Sequence, residues 1–208
     1  MKKCVIFCAG ELDTAVEIPA GALVIAADGG LKHTNALGIC PDVILGDFDS
    51  LGYTPEGAEV FPVEKDDSDS MLAVRRGLVE GCEEFIFYGA LAGKRLDHAV
   101  ANFQTLQFLA DQGAVGYLLG KDTAVTVVKN GKLVFPGRAE GLISVFCMGA
   151  DASGVTLQGL KYELSDGVLT AGHPLGLSNA FVGKTATIAV TNGSLLVLWD
   201  RENGFPIR

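Results

Sequence analysis

Five short apolar runs, at residues 4–9, 23–27, 43–45, 85–88 and 115–119, punctuate the first 120 residues, and helical patterns lie between them. Near-continuous hydrophobicity of this kind is what a parallel sheet covered on both faces requires. Met71, Leu72, Val74, Leu78 and Val79 recur at helical spacing after Ser68 or Asp69, with Gly81 as a stop. A second helix is expected from near Asp97 to Gly113, carrying Val100, Phe103, Leu106, Phe108 and Leu109, and a short one from Leu31 to Leu37, ended by Gly38. After Lys121 the pattern changes. Short alternating runs flank Asn130-Gly131 and Asn192-Gly193, each a strong hairpin signal. Strands are also expected at 143–148, 155–157 and 162–164, which makes this half a small sandwich or partly closed barrel. The expected architecture is therefore α/β: a Rossmann-like, mostly parallel sheet with helices over 1–125, then an all-β sandwich domain over 126–208.

Bulk properties narrow the chemistry. Apolar residues make up 49% of 208, enough for a substantial core, and the net charge is −9. That charge disfavours nucleic acid, whose binding needs clustered Lys and Arg, and anionic membrane surfaces. No stretch approaches the length of a membrane span. Met1-Lys2-Lys3 and the apolar run after it are read as a first strand, because Gly10-Glu11 ends the run too early for a leader. The five cysteines form no CxxC pair, and all are read as buried small hydrophobes in a reducing cytosol.

Three aspartate clusters stand at the ends of successive α/β units: Asp47 and Asp49, Asp66 to Asp69, and Asp97. Asp47 and Asp49 leave the C-terminal end of a strand, the edge where open α/β sheets bind ligands. If the extended backbone continues, both point to one side and Phe48 to the other. Carboxylate oxygens suit a hard cation such as Mg²⁺ together with phosphate. In the Asp66–Asp69 segment, Ser68 or Asp67 caps the helix while Asp69 or Asp66 faces ligand. Residues 89–95 look like a phosphate loop but lack the P-loop spacing; small residues at a helix start, with Lys94 and Arg95, still suit phosphate. Asp28-Gly29-Gly30 follows another strand, and its glycines permit close backbone approach. No histidine pair has metal-ligand spacing, which argues against zinc; a structural role is the favoured reading for His98.

Taken together these segments resemble the thiamine pyrophosphokinase family. The family pattern is matched by Asp28-Gly29-Gly30, by Pro41 through Ser50, by Lys65 through Asp69, and by Arg95-Leu96-Asp97-His98 with Asn102. The β half matches through Gly159-Leu160-Lys161-Tyr162 and Leu177-Ser178-Asn179. Ser68 replaces the usual Thr, Ala92 to Arg95 is one residue longer than the family's Gly-Gly-Arg, and Ala180 stands where a polar residue is common. The resemblance implies a cytoplasmic homodimer that moves the diphosphoryl group of ATP to the thiamine hydroxyl and releases AMP. It assigns Asp47, Asp49 and Asp69 to Mg²⁺, and Asp69 or Asp97 to the hydroxyl proton. Arg95, Lys65 and Lys94 fall to phosphate charge, and Asp28, Gly29 and Ser68 to the nucleotide cleft. It gives Ser178, Asn179 and a stacking Trp199 to thiamine. Thiamine would lie between the β domain of one subunit and the catalytic domain of its partner. A diphosphokinase for another small alcohol, such as a hydroxymethylpterin, is the alternative; a non-catalytic Mg²⁺- or Ca²⁺-binding module is a more distant one.

Overall fold

The computed structural model describes residues 1–93, 95–137 and 140–208. Two compact units divide the chain at Lys121/Asp122. The first contains strands β1 (Lys3–Phe7), β2 (Leu23–Ala27), β3 (Val43–Gly46), β4 (Glu59–Val60), β5 (Glu84–Tyr88) and β6 (Val115–Leu119), and helices α1 (Gly30–Ala36), α2 (Asp69–Val79) and α3 (Leu96–Asp111). The strands pair in the order β6-β5-β1-β2-β3-β4, all parallel. The apolar runs are buried along nearly their whole length, as a sheet shielded by helices demands. Helix α2 packs on β1, β2 and β3, α1 on β1 and β2, and α3 on β6 and against α2. Arg75 joins the two larger helices by lying over the Phe108 ring, 5.1 Å from its centroid.

Strand order reverses at β1, which has β2 on one side and β5 on the other. Connections leaving the C-terminal ends of β1 and β5 therefore diverge and open a crevice at the sheet edge. The two-residue β4, which the sequence reading did not contain, extends this sheet beyond β3, and Glu59 within it pairs with Arg76 of α2. Cys4, Cys8 and Cys82 are buried as expected, whereas Cys40 is exposed and Cys147 half-buried; all five are free thiols.

The second unit is entirely β: β7 (Thr123–Lys129), β8 (Lys132–Phe135), β9 (Leu142–Cys147), β10 (Ala152–Gln158), β11 (Leu164–Leu169), β12 (Asn179–Ala180), β13 (Ala186–Ala189) and β14 (Ser194–Asp200), with a closing 3₁₀ turn at Arg201–Asn203. Two antiparallel layers form, ordered β12-β9-β14-β7 and β11-β10-β13-β8. The rings of Phe135 on β8 and Trp199 on β14 meet edge-on at 5.3 Å and knit the layers together.

Neither Asn-Gly turn closes a hairpin. Asn130-Gly131 joins β7 to β8, and Asn192-Gly193 joins β13 to β14; in both cases the two strands lie in different layers. The turns bond to each other instead: Asn130 N–H donates to Gly193 O at 3.1 Å, and Gly193 N–H donates to Asn130 Oδ1 at 2.9 Å. Asn130 adopts φ +45°, so the residue preference for left-handed backbone is real, but the twist it makes carries the chain across the sandwich. The strand expected at 162–164 is also absent; Tyr162 lies in a bend and the strand begins at Leu164.

Candidate active site

Loops from the C-terminal ends of β1, β2, β3 and β5, with the first turns of α2 and α3, enclose a cavity of about 770 Å³ in the first unit. Asp28, Asp49, Ser68, Asp69, Arg95 and Asp97 are on its wall. It sits at the crevice created by the strand-order reversal. Two backbone segments zip together to form one side: Gly10 N–H donates to Gly89 O at 3.0 Å and Glu11 N–H to Ala92 O at 3.1 Å. A Cβ on Gly10 would stand 2.5 Å from Gly89 O, so only glycine permits this approach.

Asp28, Asp47 and Asp69 converge, with one carboxylate oxygen of each lying within 4.8 Å of the others. Asp28 is buried at φ +46°, a conformation Asp tolerates. Its Oδ2 accepts from the Ser50 hydroxyl at 2.7 Å, while its buried Oδ1 has no hydrogen-bond partner. Lys65 Nζ lies 2.5 Å from Asp47 Oδ2 and 3.1 Å from Asp69 Oδ1. The hydrogen bond from Lys65 holds Asp47 below the usual carboxylate range. Burial raises the Asp69 carboxyl above it, against the pull of Lys65, and the charges of Asp47 and Asp28 push the same way. Burial works against the Lys65 charge, but its bonds to Asp47 and Asp69 outweigh that and raise its pKa.

The trio differs from the expected set of Asp47, Asp49 and Asp69. Asp47 Oδ1 accepts from Asp49 N–H at 3.2 Å, an Asx turn, and Phe48 takes φ +60° while burying its ring. The backbone is therefore not extended past Asp47. Asp49 reaches the cavity wall as an exposed side chain outside the trio, and Asp28 completes it. Gly29 and Gly30 make their close approaches to protein rather than ligand: a Cβ on Gly30 would lie 2.0 Å from Phe7 O, and one on Gly29 2.9 Å from the Ala9 methyl.

At the start of α2, Ser68 Oγ accepts from Met71 N–H and caps the helix, leaving Asp69 to face the cavity; Asp66 is exposed and Asp67 pairs with Arg75. Across the cavity, Arg95 grips Asp97, Nε at 3.0 Å and Nη2 at 2.7 Å, and this guanidinium lowers the Asp97 carboxyl to about 2. His98 is an exposed residue on the cavity wall. Lys94 lies outside the described residues.

In the second unit Ser178 is exposed at φ +56°, its N–H donating to Ser144 Oγ at 3.0 Å. Asn179 and Trp199 do not present themselves to a ligand. Asn179 is buried, its Oδ1 accepting from Tyr162 and Ala180 N–H and its Nδ2 donating to Tyr162 O. Trp199 is 2% exposed, held edge-on to Phe135 with Nε1 donating to Gly204 O at 2.9 Å. A lone tryptophan reads equally as a stacking platform and as core, and here the inward face of β14 takes it.

Wall residues that the sequence reading did not single out as site residues are Glu11, Ser50, Ser70 and Asn102. Ser50 and Asn102 had a signal, the one closing the Asp47–Asp49 motif and the other spaced after Asp97-His98.

Comparison with known proteins gives one answer. Residues 17–115 match the thiamin pyrophosphokinase catalytic domain and residues 132–195 the thiamin pyrophosphokinase vitamin B1 binding domain. A thiamine pyrophosphokinase of Bacillus subtilis is 26% identical over 185 residues, covering 85% of this chain and 86% of the relative. The fold is shared with the crystal structure of thiamine pyrophosphokinase from Bacillus subtilis (TM-score 0.84, 24% identity, 96% of this chain and 99% of that one). It is shared also with the enzymes from Geobacillus thermodenitrificans (0.80, 22%, 96% and 97%) and Candida albicans (0.72, 14%, 96% and 89%). With both domain types matched in order over most of its length, the chain belongs to the thiamin pyrophosphokinase family.

Proposed function

We propose that this chain transfers the β,γ-diphosphoryl group of ATP to the hydroxyl of thiamine, giving thiamine diphosphate and AMP, with Mg²⁺ as its resident ion. The observation that carries the site assignment is a cavity whose wall holds Asp28, Asp69 and the 89–93 loop, with Asp47 converging on the two aspartates, in a chain that matches both domains of the family. The match to a vitamin B1 binding domain favours thiamine over a pterin alcohol. The parallel sheet with its reversal at β1 supports the Rossmann-like reading of the first unit.

The residues fit a divalent ion. A buried carboxylate oxygen without a donor, such as Asp28 Oδ1, is costly unless a cation meets it. Three carboxylates against the one ammonium of Lys65 leave a double negative charge, the complement of one Mg²⁺. Asp28, Asp47 and Asp69 would hold the ion, with Asp49 on the nearby wall. When bound, Mg²⁺ supplies positive charge to phosphate oxygens. Lys65 and Arg95 add protein cations for the same oxygens, Lys94 is assigned likewise, and the loop supplies backbone N–H groups. Asp69 and Asp97 both stand on the cavity wall for the thiamine hydroxyl proton; the Arg95 guanidinium lowers the proton affinity of Asp97, and an ion held by Asp69 would lower its affinity likewise. Ser178 is the thiamine contact retained from the expected set.

The proposed assembly is a homodimer. Leu142, Tyr162, Leu175 and Leu177, each more than half exposed in the second unit, offer apolar surface for a homodimer. The test is an assay of AMP release from ATP with either thiamine or hydroxymethylpterin. Thiamine-dependent AMP formation is expected; AMP formed only with the pterin would replace the substrate, and ATP consumption indifferent to both would remove the assignment.

A further inference from the structure

A chain of hydrogen bonds links the carboxylate side of the cavity to the 89–93 loop. Asn102, buried on α3, donates from Nδ2 to Ala90 O at 2.8 Å. A carbonyl can only accept, so this end of the amide is Nδ2 and the other is Oδ1. Ser70 therefore gives its hydroxyl proton to Asn102 Oδ1 at 2.9 Å. The 3.0 Å contact between Ser68 and Ser70 then runs from the Ser68 hydroxyl to Ser70 Oγ, and Ser68 Oγ accepts from Met71 N–H. Every proton in the chain has one direction. Asp69 sits between the two serines on the same turn of α2, so the turn that carries it is tied through Asn102 to the loop.

The loop is held by its carbonyls. Gly89 O takes Gly10 N–H, Ala90 O takes Asn102, and Ala92 O takes Glu11 N–H. All peptide bonds here are trans, and in a trans peptide the N–H runs opposite to the C=O. Tying back the carbonyls of Gly89 and Ala90 thus turns the N–H groups of Ala90 and Leu91 the other way. Carbonyl oxygens facing the cavity would repel a phosphate; amide hydrogens attract it.

We propose that Ser70, acting through Asn102, is a positioning residue that fixes the 89–93 loop in its phosphate-accepting orientation relative to Asp69. This rests on the diphosphotransfer reading of the cavity. Ser70 acts through the amide: it sets Asn102, which sets the loop. Losses of groups that orient a ligand-binding shell are commonly about 10- to 100-fold.

The test compares Ser70→Ala, which removes the donor, with Ser70→Thr, which keeps it. Calorimetry with Mg²⁺ and a nonhydrolysable ATP analogue is expected to show about tenfold weaker binding for Ser70→Ala and binding within about twofold of the parent for Ser70→Thr. The KM for thiamine stays within about twofold in both and the calorimetric stoichiometry stays that of the parent, whereas a general loss of folding would lower the stoichiometry and not the affinity. In nucleotide-free protein, hydrogen exchange at the Gly10 and Glu11 amides, which bond to the carbonyls of Gly89 and Ala92, speeds up in Ser70→Ala and not in Ser70→Thr. Unchanged analogue affinity or unchanged exchange in Ser70→Ala overturns the proposal, as does an equal loss in Ser70→Thr. If the parent itself fails to bind the analogue, the diphosphotransfer reading falls and the exchange rates alone decide the role of the chain of bonds.

Discussion

Asp97 and Arg95 are two residues apart on an exposed turn, and their bidentate contact fixes the charge of both. With its carboxyl lowered to about 2, Asp97 stays ionised wherever the enzyme is folded near neutrality. A depressed carboxyl favours the folded state above its unfolded pKa and loses that contribution as pH falls toward about 2; because the pair is exposed, solvent screens the effect and stability changes little. Carbon NMR of the Asp97 carboxyl is expected to titrate near 2 and to return to the ordinary range in Arg95→Ala; a midpoint near 4 in the parent contradicts the pairing. Asp69→Asn is expected to lower thiamine-dependent AMP release by about 10²-fold or more with the fold intact by circular dichroism, as losses of transition-state charge stabilisers do. Near-parental turnover would remove Asp69 from the chemistry. The motif spacing made most of this cavity readable: Asp69, Arg95 and Asp97 all reach it. It did not give the trio's composition, because period-two alternation holds only while the strand continues, and the Asx turn at Asp47 ends it. Asp28 was assigned no metal because Asp-Gly-Gly alone reads as a turn.

Among the elements, the second unit shows how one local signal serves two topologies. Asn-Gly reports left-handed backbone at a sharp turn; whether the flanking strands then pair is decided by which faces they bury. Here β7 and β8 each find better partners in opposite layers, so alternation and turn chemistry were legible and pairing was not. Trp199 was ambiguous for the same reason: its strand was predicted, its facing was not. Burial makes its role testable. Trp199→Ala is expected to destabilise the protein by about 3–5 kcal/mol in urea unfolding. Trp199→Phe, which keeps the edge contact but drops the bond to Gly204, is expected to leave the KM for thiamine unchanged. A selective rise in that KM would return Trp199 to the substrate site. Asn179→Ala strips both backbone groups of Tyr162 of their partner and is expected to cost about 1–3 kcal/mol.

For the whole molecule, the division into a parallel α/β unit and an antiparallel unit followed from a change of hydrophobic period near residue 120, and physics at that level is robust because it sums over many residues. Assembly is not encoded in such patterns. The exposed apolar side chains of the second unit lead to an expected dimer mass in sedimentation equilibrium, shifted toward monomer by Leu177→Glu; a monomer at micromolar concentration contradicts the homodimer. The convergence of three separated segments on one cation is best examined in crystals grown with Mn²⁺ and a nonhydrolysable ATP analogue. An anomalous peak at coordination distance from Asp28, Asp47 and Asp69, with the nucleotide phosphates against residues 89–93, is the expected result. A peak away from these carboxylates, or phosphates bound elsewhere, contradicts the assignment of this cavity.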